Sequence, residues 1–371
     1  MSKTQAASAL PLEPADAPRR RRFSYRIEID PSGAGNPWWI APLSILLALV
    51  LCGIFIAANG MNPIAVYAKM IKGAFGSSFG ITETLVKAIP LLLCGIGVAI
   101  AYRISVWNIG AEGQFLVGAV AATAVTIWFP NLPIYGTIPL MVVFAIAAGG
   151  VWGLLTAIPR TYFQVNELVT SLMLNYVAIL LLDYFVFGPW KDPKGFNFPG
   201  TPMFNEAQTL PALGDTRLHL GLAFALVAVV LYGLLVKYTK WGYELRLIGA
   251  NPEAAKNAGI PIKRHILLVM LISGGLAGLA GMAEVSGVSH RLMYGISPGY
   301  GYTAIIVAWL AKLNPALLVV SAVLFGGLIV GGYSVQTIGL PSSISNMIQG
   351  AILFFLIAGG MFGKFRLRRN A

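Results

Sequence analysis

Charge is scarce in this sequence. Of 371 residues, 11% are charged and 57% hydrophobic, and the acidic residues number 14. A soluble domain carries about 25% charged residues, so this chain lacks the polar surface that water requires, and its solvent is largely lipid. Histidine amounts to three residues, and the two cysteines, Cys52 and Cys94, each lie inside an apolar run. That spacing excludes paired-histidine and multi-cysteine metal sites, and no phosphate-binding loop or nucleophile elbow is present. No cofactor is expected, and no catalysis. Basic residues outnumber acidic ones, 26 to 14, for a net charge of +12. Nucleic-acid binding would need a basic stripe interleaved with aromatics. Here the basic residues sit between or beyond apolar runs, which is how a membrane protein sets its orientation.

What is present is a series of apolar runs. Residues 1–36 are polar, with Pro11, Pro14, Pro18 and four arginines at 19–22, and read as a flexible basic cytoplasmic tail. The arginines faintly resemble a twin-arginine signal, but the apolar run 38–58 is too long for a signal h-region and is read as a retained span. Further runs give candidates near 39–59, 85–103, 109–129, 138–158, 165–188, 219–237, 265–284, 301–312, 315–333 and 343–362, the eighth of them short. A span needs about 20 apolar residues. The expectation is an all-α integral membrane protein of about ten spans, eight at the fewest, with a transmembrane domain over 37–363 and a basic cytoplasmic C-terminus at 364–371. With the N-terminus inside, outer segments hold seven basic residues (Lys69, Lys72, Lys87, Lys191, Lys194, Arg217 and Arg291) and inner segments the other 19. The positive-inside rule favours this orientation, with both termini cytoplasmic. Ten spans divide five and five, the second set starting from the opposite face, as in a 5+5 inverted repeat. No convincing sequence identity links the halves.

Polar groups at membrane depth are costly and mark function. The main concentration is WNIGAEGQ at 107–114, with Trp107, Asn108, Glu112 and Gln114 as candidate pathway residues. Two readings are open: a cytoplasmic turn with solvated side chains, or a broken helix near 104–114 lining a transport path. Non-helical backbone at membrane depth is tolerated only where protein or a water-filled cavity covers it. The mirrored stretch GISPGYGY at 295–302 makes a second interrupted span, and paired interruptions are the best pointer to a translocation site. Tyr300 and Tyr302, with Trp107, offer aromatic faces suited to a flat ring or a sugar, or else belong to an interfacial aromatic belt. Ser171 and Asn175 lie one turn apart on one helical stripe, placed to line the path or to bond between helices. Glu167 reads as a cap or ion-pair partner, Asp183 and Glu284 as solvated residues near outer ends. Gly274, Gly275, Gly278 and Gly281 read as a close-packing surface.

The inner loop 238–264 is basic and contains GANPEAAKNAGIP at 249–261. Asn251 suits an N-cap, Pro252 the first helical position, Glu253 the positive helix end, and Gly259 the terminator. A helix of about two turns is marginal alone, and is better understood as docking into a partner's groove. Here the chain resembles a known family. Glu253-Ala254-Ala255, three residues, then Gly259 is similar to the EAA coupling segment of ATP-binding-cassette importer permeases, which seats in a cleft of the ATPase subunit. NIGAEGQ at 108–114, Asn166-Glu167 followed by Met173-Leu174-Asn175-Tyr176, and SPGYGY at 297–302 followed by Asn314-Pro315 resemble the branched-chain permease superfamily, most closely its simple-sugar and nucleoside permeases. The resemblance covers roughly 80–362 and omits the tail. Trp107 stands where Phe is expected, an exchange that preserves ring stacking.

The resemblance implies a transport permease, not an enzyme. Its importer would contain two permease chains, often different, so a heterodimer, with two ATP-hydrolysing domains and an extracytoplasmic substrate-binding protein in a bacterial plasma (inner) membrane. ATP-driven closure would pass through Asn251, Glu253, Ala254, Ala255 and Gly259, while Asn108, Glu112, Gln114 and Tyr300 line the path. No residue separates a nucleoside from a pentose. Two other classes compete. An ion-coupled secondary transporter with Glu112 as carrier predicts uptake by this chain alone; a membrane enzyme or assembly factor is opposed by the absence of a catalytic His, Ser or carboxylate pair.

Overall fold

Three helix starts in this chain are written with Asn-Pro. Asn62-Pro63, Asn251-Pro252 and Asn314-Pro315 each place an Asn whose side chain accepts a backbone N–H of the first turn, ahead of a proline at the first helical position. The computed structural model describes residues 25–29, 39–195, 198–214, 216–362 and 365–369. A strand β1 (Tyr25–Ile29) leads to α1 (Ile40–Ala58), α2 (Pro63–Phe75), α3 (Ser78–Tyr102), α4 (Ala111–Trp128), α5 (Ile134–Phe163), α6 (Glu167–Phe187) and α7 (Gly221–Tyr238). Then come α8 (Lys240–Ala250), α9 (Pro252–Asn257), α10 (Ile262–Glu284), α11 (Tyr300–Leu310), α12 (Pro315–Ser334), α13 (Ser343–Phe362) and β2 (Phe365–Arg369).

Every expected apolar run is helical, though not every one is by itself long and apolar enough to span a membrane. Among the described residues seven helices are long and apolar enough to cross a membrane: α3 to α7, α10 with a π-helical extension to Ser289, and α12 with a 3-10 extension to Ile338. The pair α1 and α2, bent by 116°, makes an eighth if counted as one span. Helix α11 is short because both ends are terminated by left-handed backbone, Gly299 at φ 96° before it and Lys312 and Leu313 at φ 47° and 59° after it. Two helices were not expected. Lys69 and Lys72 interrupt the apolar signal of α2, and Lys240, Glu244 and Arg246 that of α8, so both segments read as connections.

Helix α10 is the centre of the packing, against α5, α4 and α3, while α3 also meets α12 and α11, and α1 pairs with α13. The small-residue surface does what its spacing predicts: a Cβ at Gly274, Gly278 or Gly281 would overlap the carbonyl oxygens of Gly149, Ala145 or Phe115 respectively, so backbones touch. In lipid, such contact and interhelical hydrogen bonds replace the hydrophobic driving force. Helices α6 and α7 are peripheral, with most of their surface outward. Most of the expected N-terminal tail lies outside the described residues; its segment Tyr25–Ile29 pairs antiparallel with Phe365–Arg369, Tyr25 opposite Arg369.

Candidate functional site

Between α3 and α4 the backbone leaves the helix at 103–110, with Ser105 at φ 57°. The segment turns inward. Asn108 and Gln114 exchange side-chain amide hydrogen bonds of 2.8 and 3.0 Å, and Asn108 Nδ2 also donates to Ser273 Oγ at 2.7 Å. Ser273 lies midway along α10, so the break sits at the level of the middle of a span. Exposure is 1% for Asn108, 4% for Glu112 and 0% for Gln114. A solvated turn would not bury them.

The first turn of a helix has N–H groups without intrahelical partners, and in the interior they must be met by something else. Asn175 of α6 does this from outside: its Oδ1 accepts from Gly113 N at 2.9 Å while its Nδ2 donates to Ile109 O at 3.0 Å and contacts Tyr302 Oη at 3.2 Å. Ser171, buried beside Gly110, spends its hydroxyl on Leu168 O in its own helix. Of the two uses open to this stripe, Asn175 shows interhelical bonding.

Helix α11 brings its N-terminus to the N-terminus of α4. A Cβ at Gly301 would overlap the backbone of Glu112, so the contact requires glycine. Glu112 Oε2 accepts from Gly301 N at 2.7 Å, and the Ser297 side chain also bonds to Glu112. Ser297 Oγ in turn accepts from the N–H groups of Gly299 and Tyr300. One buried carboxylate thus lies in the first turn of one helix and against the first turn of another, and both helix dipoles favour its negative charge.

The aromatic rings are already occupied. Trp107 stacks on Trp309 at 5.3 Å and meets the edge of Tyr102, while Tyr300, fully buried, packs on Phe115. Of the three, Tyr302 has the free face, at 40% exposure.

On the basic side, α9 forms as its caps predict. Asn251 Oδ1 accepts from Ala254 N, and Gly259 takes φ 77° beyond the helix end. Asn251, Glu253, Ala254 and Gly259 are exposed, whereas Ala255 is fully buried and anchors the helix to its own chain.

Residues 80–357 match the family described as branched-chain amino acid transport system / permease component. The chain belongs to this permease family. It is 36% identical to the glucose ABC transporter permease protein TsgB13 of Haloferax volcanii, over 93% of this chain and 94% of that one. It is 33% identical to the guanosine ABC transporter permease protein NupP of Bacillus subtilis (85% and 91% covered), and 29% identical to the nucleoside ABC transporter permease protein NupB of Lactococcus lactis (85% and 89%). It is therefore a multi-pass membrane permease of an ATP-binding-cassette transporter, with ATP hydrolysis in a separate subunit.

Several residues that organise the permease site escaped the sequence reading. Lys87, counted among outer-segment charges, reaches Glu284 at 2.9 Å, and Tyr300 Oη donates to the same carboxylate at 3.3 Å. Glu284 is therefore buried and paired rather than solvated, because the π-helical turn at Val285–Ser289 carries α10 past it. Asp183 is likewise half-buried, and its Oδ1 has no hydrogen-bond partner among the described residues. Glu167 pairs with Arg160 and opens α6, as expected. Gln349 of α13 meets Thr303 at 2.6 Å. A lysine inside an apolar run was the signal for Lys87; nothing in the sequence distinguishes Ser273 or Gln349.

Proposed function

We propose that this permease is one of two membrane subunits of an importer that carries a nucleoside or a simple sugar across a plasma membrane, the inner membrane of a bacterium. Its second permease is a different chain, and an extracytoplasmic binding protein delivers the substrate. The substrate class rests on the relatives, whose names specify glucose, guanosine and nucleosides. Transport passes the meeting point of α4 and α11, and the observation that carries this is Glu112, a buried carboxylate shared by two interrupted helices. The polar groups are mutually satisfied in this structure. When the two N-termini part, Asn108, Glu112, Gln114, Asn175 and the backbone amides are released to the hydroxyls of a sugar, with Ser171, Trp107, Tyr300 and Tyr302 around them. On the basic side Asn251, Glu253, Ala254 and Gly259 meet the ATPase, with Ala255 holding the helix in place. Ten spans in a 5+5 inverted repeat, with both termini cytoplasmic, complete the reading. The paired interruptions support the repeat, and the β1–β2 ribbon, which joins the two terminal segments, supports a common side for them.

The test is uptake of labelled guanosine and labelled glucose by proteoliposomes holding the permease, its ATPase, its second permease and its binding protein. ATP-dependent uptake of either one, abolished by Glu112→Ala with ATPase association retained, is expected. Uptake by this chain alone under an ion gradient would overturn the reading.

A further inference from the structure

The ATPase-docking helix and the polar site are far apart in the chain, yet a short path of contacts joins them. Asn251 is at once the C-cap of α8 and the N-cap of α9, so the two helices move together. Near the end of α8, Gly249 lies against the backbone of Arg103: a Cβ there would overlap the Arg103 carbonyl oxygen and come within 3.0 Å of its carbon. Arg103 is the residue that ends α3, and the non-helical segment carrying Asn108 follows it directly.

The Arg103 side chain reaches the other interrupted helix. Its Nε donates to Tyr232 Oη at 2.9 Å, its Nη2 donates to Leu313 O at 2.9 Å, and Tyr232 Oη donates to the same carbonyl at 2.9 Å. Tyr232 is a buried residue of α7. Leu313 and Lys312 form the left-handed turn that ends α11. Such backbone is strained in residues other than glycine, and here the turn's carbonyl is held by two donors. From that turn, α11 runs as a single rod of 11 residues whose other end, at Gly301, donates to Glu112.

We propose that Arg103 is the positioning residue that transmits displacement of the α8–α9 unit to both interrupted helices at once. Its backbone is pushed by Gly249 and pulls on the segment bearing Asn108; its guanidinium pulls on the far end of α11 and through it on Glu112. One residue thereby opens the polar cluster from two sides. The inference rests on the assignment of α9 as the ATPase-docking surface.

The experiment uses the assembled transporter with Cys52→Ala and Cys94→Ala, and a Tyr302→Cys reporter labelled by an impermeant maleimide with and without ATP and vanadate. The parent should show a nucleotide-dependent change in labelling rate of about fivefold or more, the range of ordinary site-to-site coupling. Arg103→Lys, Gly249→Ala and the minimal variant Tyr232→Phe should keep the ATPase bound and hydrolysing ATP while that change disappears. Gly259→Trp should lose the ATPase itself. A nucleotide response that survives in all three relay variants overturns the relay and leaves the docking assignment standing. So does loss of ATPase binding in those variants, which would make Arg103 a scaffold of the docking surface. A parent without any response likewise overturns the relay, whereas an unaltered Gly259→Trp overturns the docking assignment.

Discussion

Asn175 and Ser171 sit one turn apart on α6, both fully buried, and do different things. Asn175 satisfies a backbone donor and a backbone acceptor of the broken segment, Gly113 N and Ile109 O. Ser171 bonds only within its own helix. Leaving a buried polar group unpartnered costs about 1–3 kcal/mol, so Asn175→Leu should lower the melting temperature of the purified permease clearly. Ser171→Ala should leave it nearly unchanged. Equal effects of the two would remove Asn175 from its capping role. His219, in the connection before α7, supplies a pH dependence. Burial first, then His290, Lys87 and Arg217, push its imidazole down to about 4, and its Nδ1 accepts from Gly221 N. In the unfolded chain it takes a proton near the ordinary value of about 6.5. The neutral folded form is therefore fully favoured above about 6.5, and stability falls as the pH drops from there toward about 4. Wild-type melting temperature should decline over that window, and His219→Gln should flatten the decline; an unchanged pH profile would contradict the assignment.

Helix contacts set what a side chain can be at each glycine. Gly278 of α10 lies against the Ala145 carbonyl and the backbone of Gly149, whereas Gly350 of α13 has nothing within 4 Å of an added Cβ. Gly278→Ala should force α10 from α5 at a cost of about 1–3 kcal/mol. Gly350→Ala should be neutral or slightly stabilising, since alanine is the better helix former by about 1 kcal/mol. Comparable losses in thermal unfolding for both would mean the α10–α5 contact is looser than the backbone geometry states. That glycine surface was legible in the sequence because small residues recur at helical spacing, and α9 was legible because Asn251, Pro252 and Gly259 are local signals. Helix α2 was not, since Lys69 and Lys72 mask a helix that bends away from α1 instead of continuing it. Nor was the meeting of Glu112 with Gly301, which is a contact between residues 189 positions apart. Burial of Glu284 was hidden for the same reason: its partners Lys87 and Tyr300 come from other elements.

At the scale of the whole permease, the distribution of charge becomes a statement about sides. Seven basic residues were assigned outside, yet Lys87 is paired inside the protein and Arg217 is bonded to Glu83 at 3.0 Å, so the free positive charge of that face is smaller still. Positive charge near spans is retained on the cytoplasmic side, so the proposed orientation has α8, α9 and the C-terminus there and the connection 188–220 outside. That connection is held down rather than loose: Leu210 N donates to Ser286 O, Thr201 N to Leu292 O and Phe204 N to His290 O. Single cysteines test the assignment directly, because Cys52 and Cys94 are both buried. With those two replaced by Ala, Lys256→Cys and Glu206→Cys both expose a thiol on the surface. An impermeant maleimide should label position 206 in intact cells and position 256 only after permeabilisation. The opposite result would invert the molecule, place α9 on the wrong side for an ATPase, and separate the docking helix from the relay through Arg103.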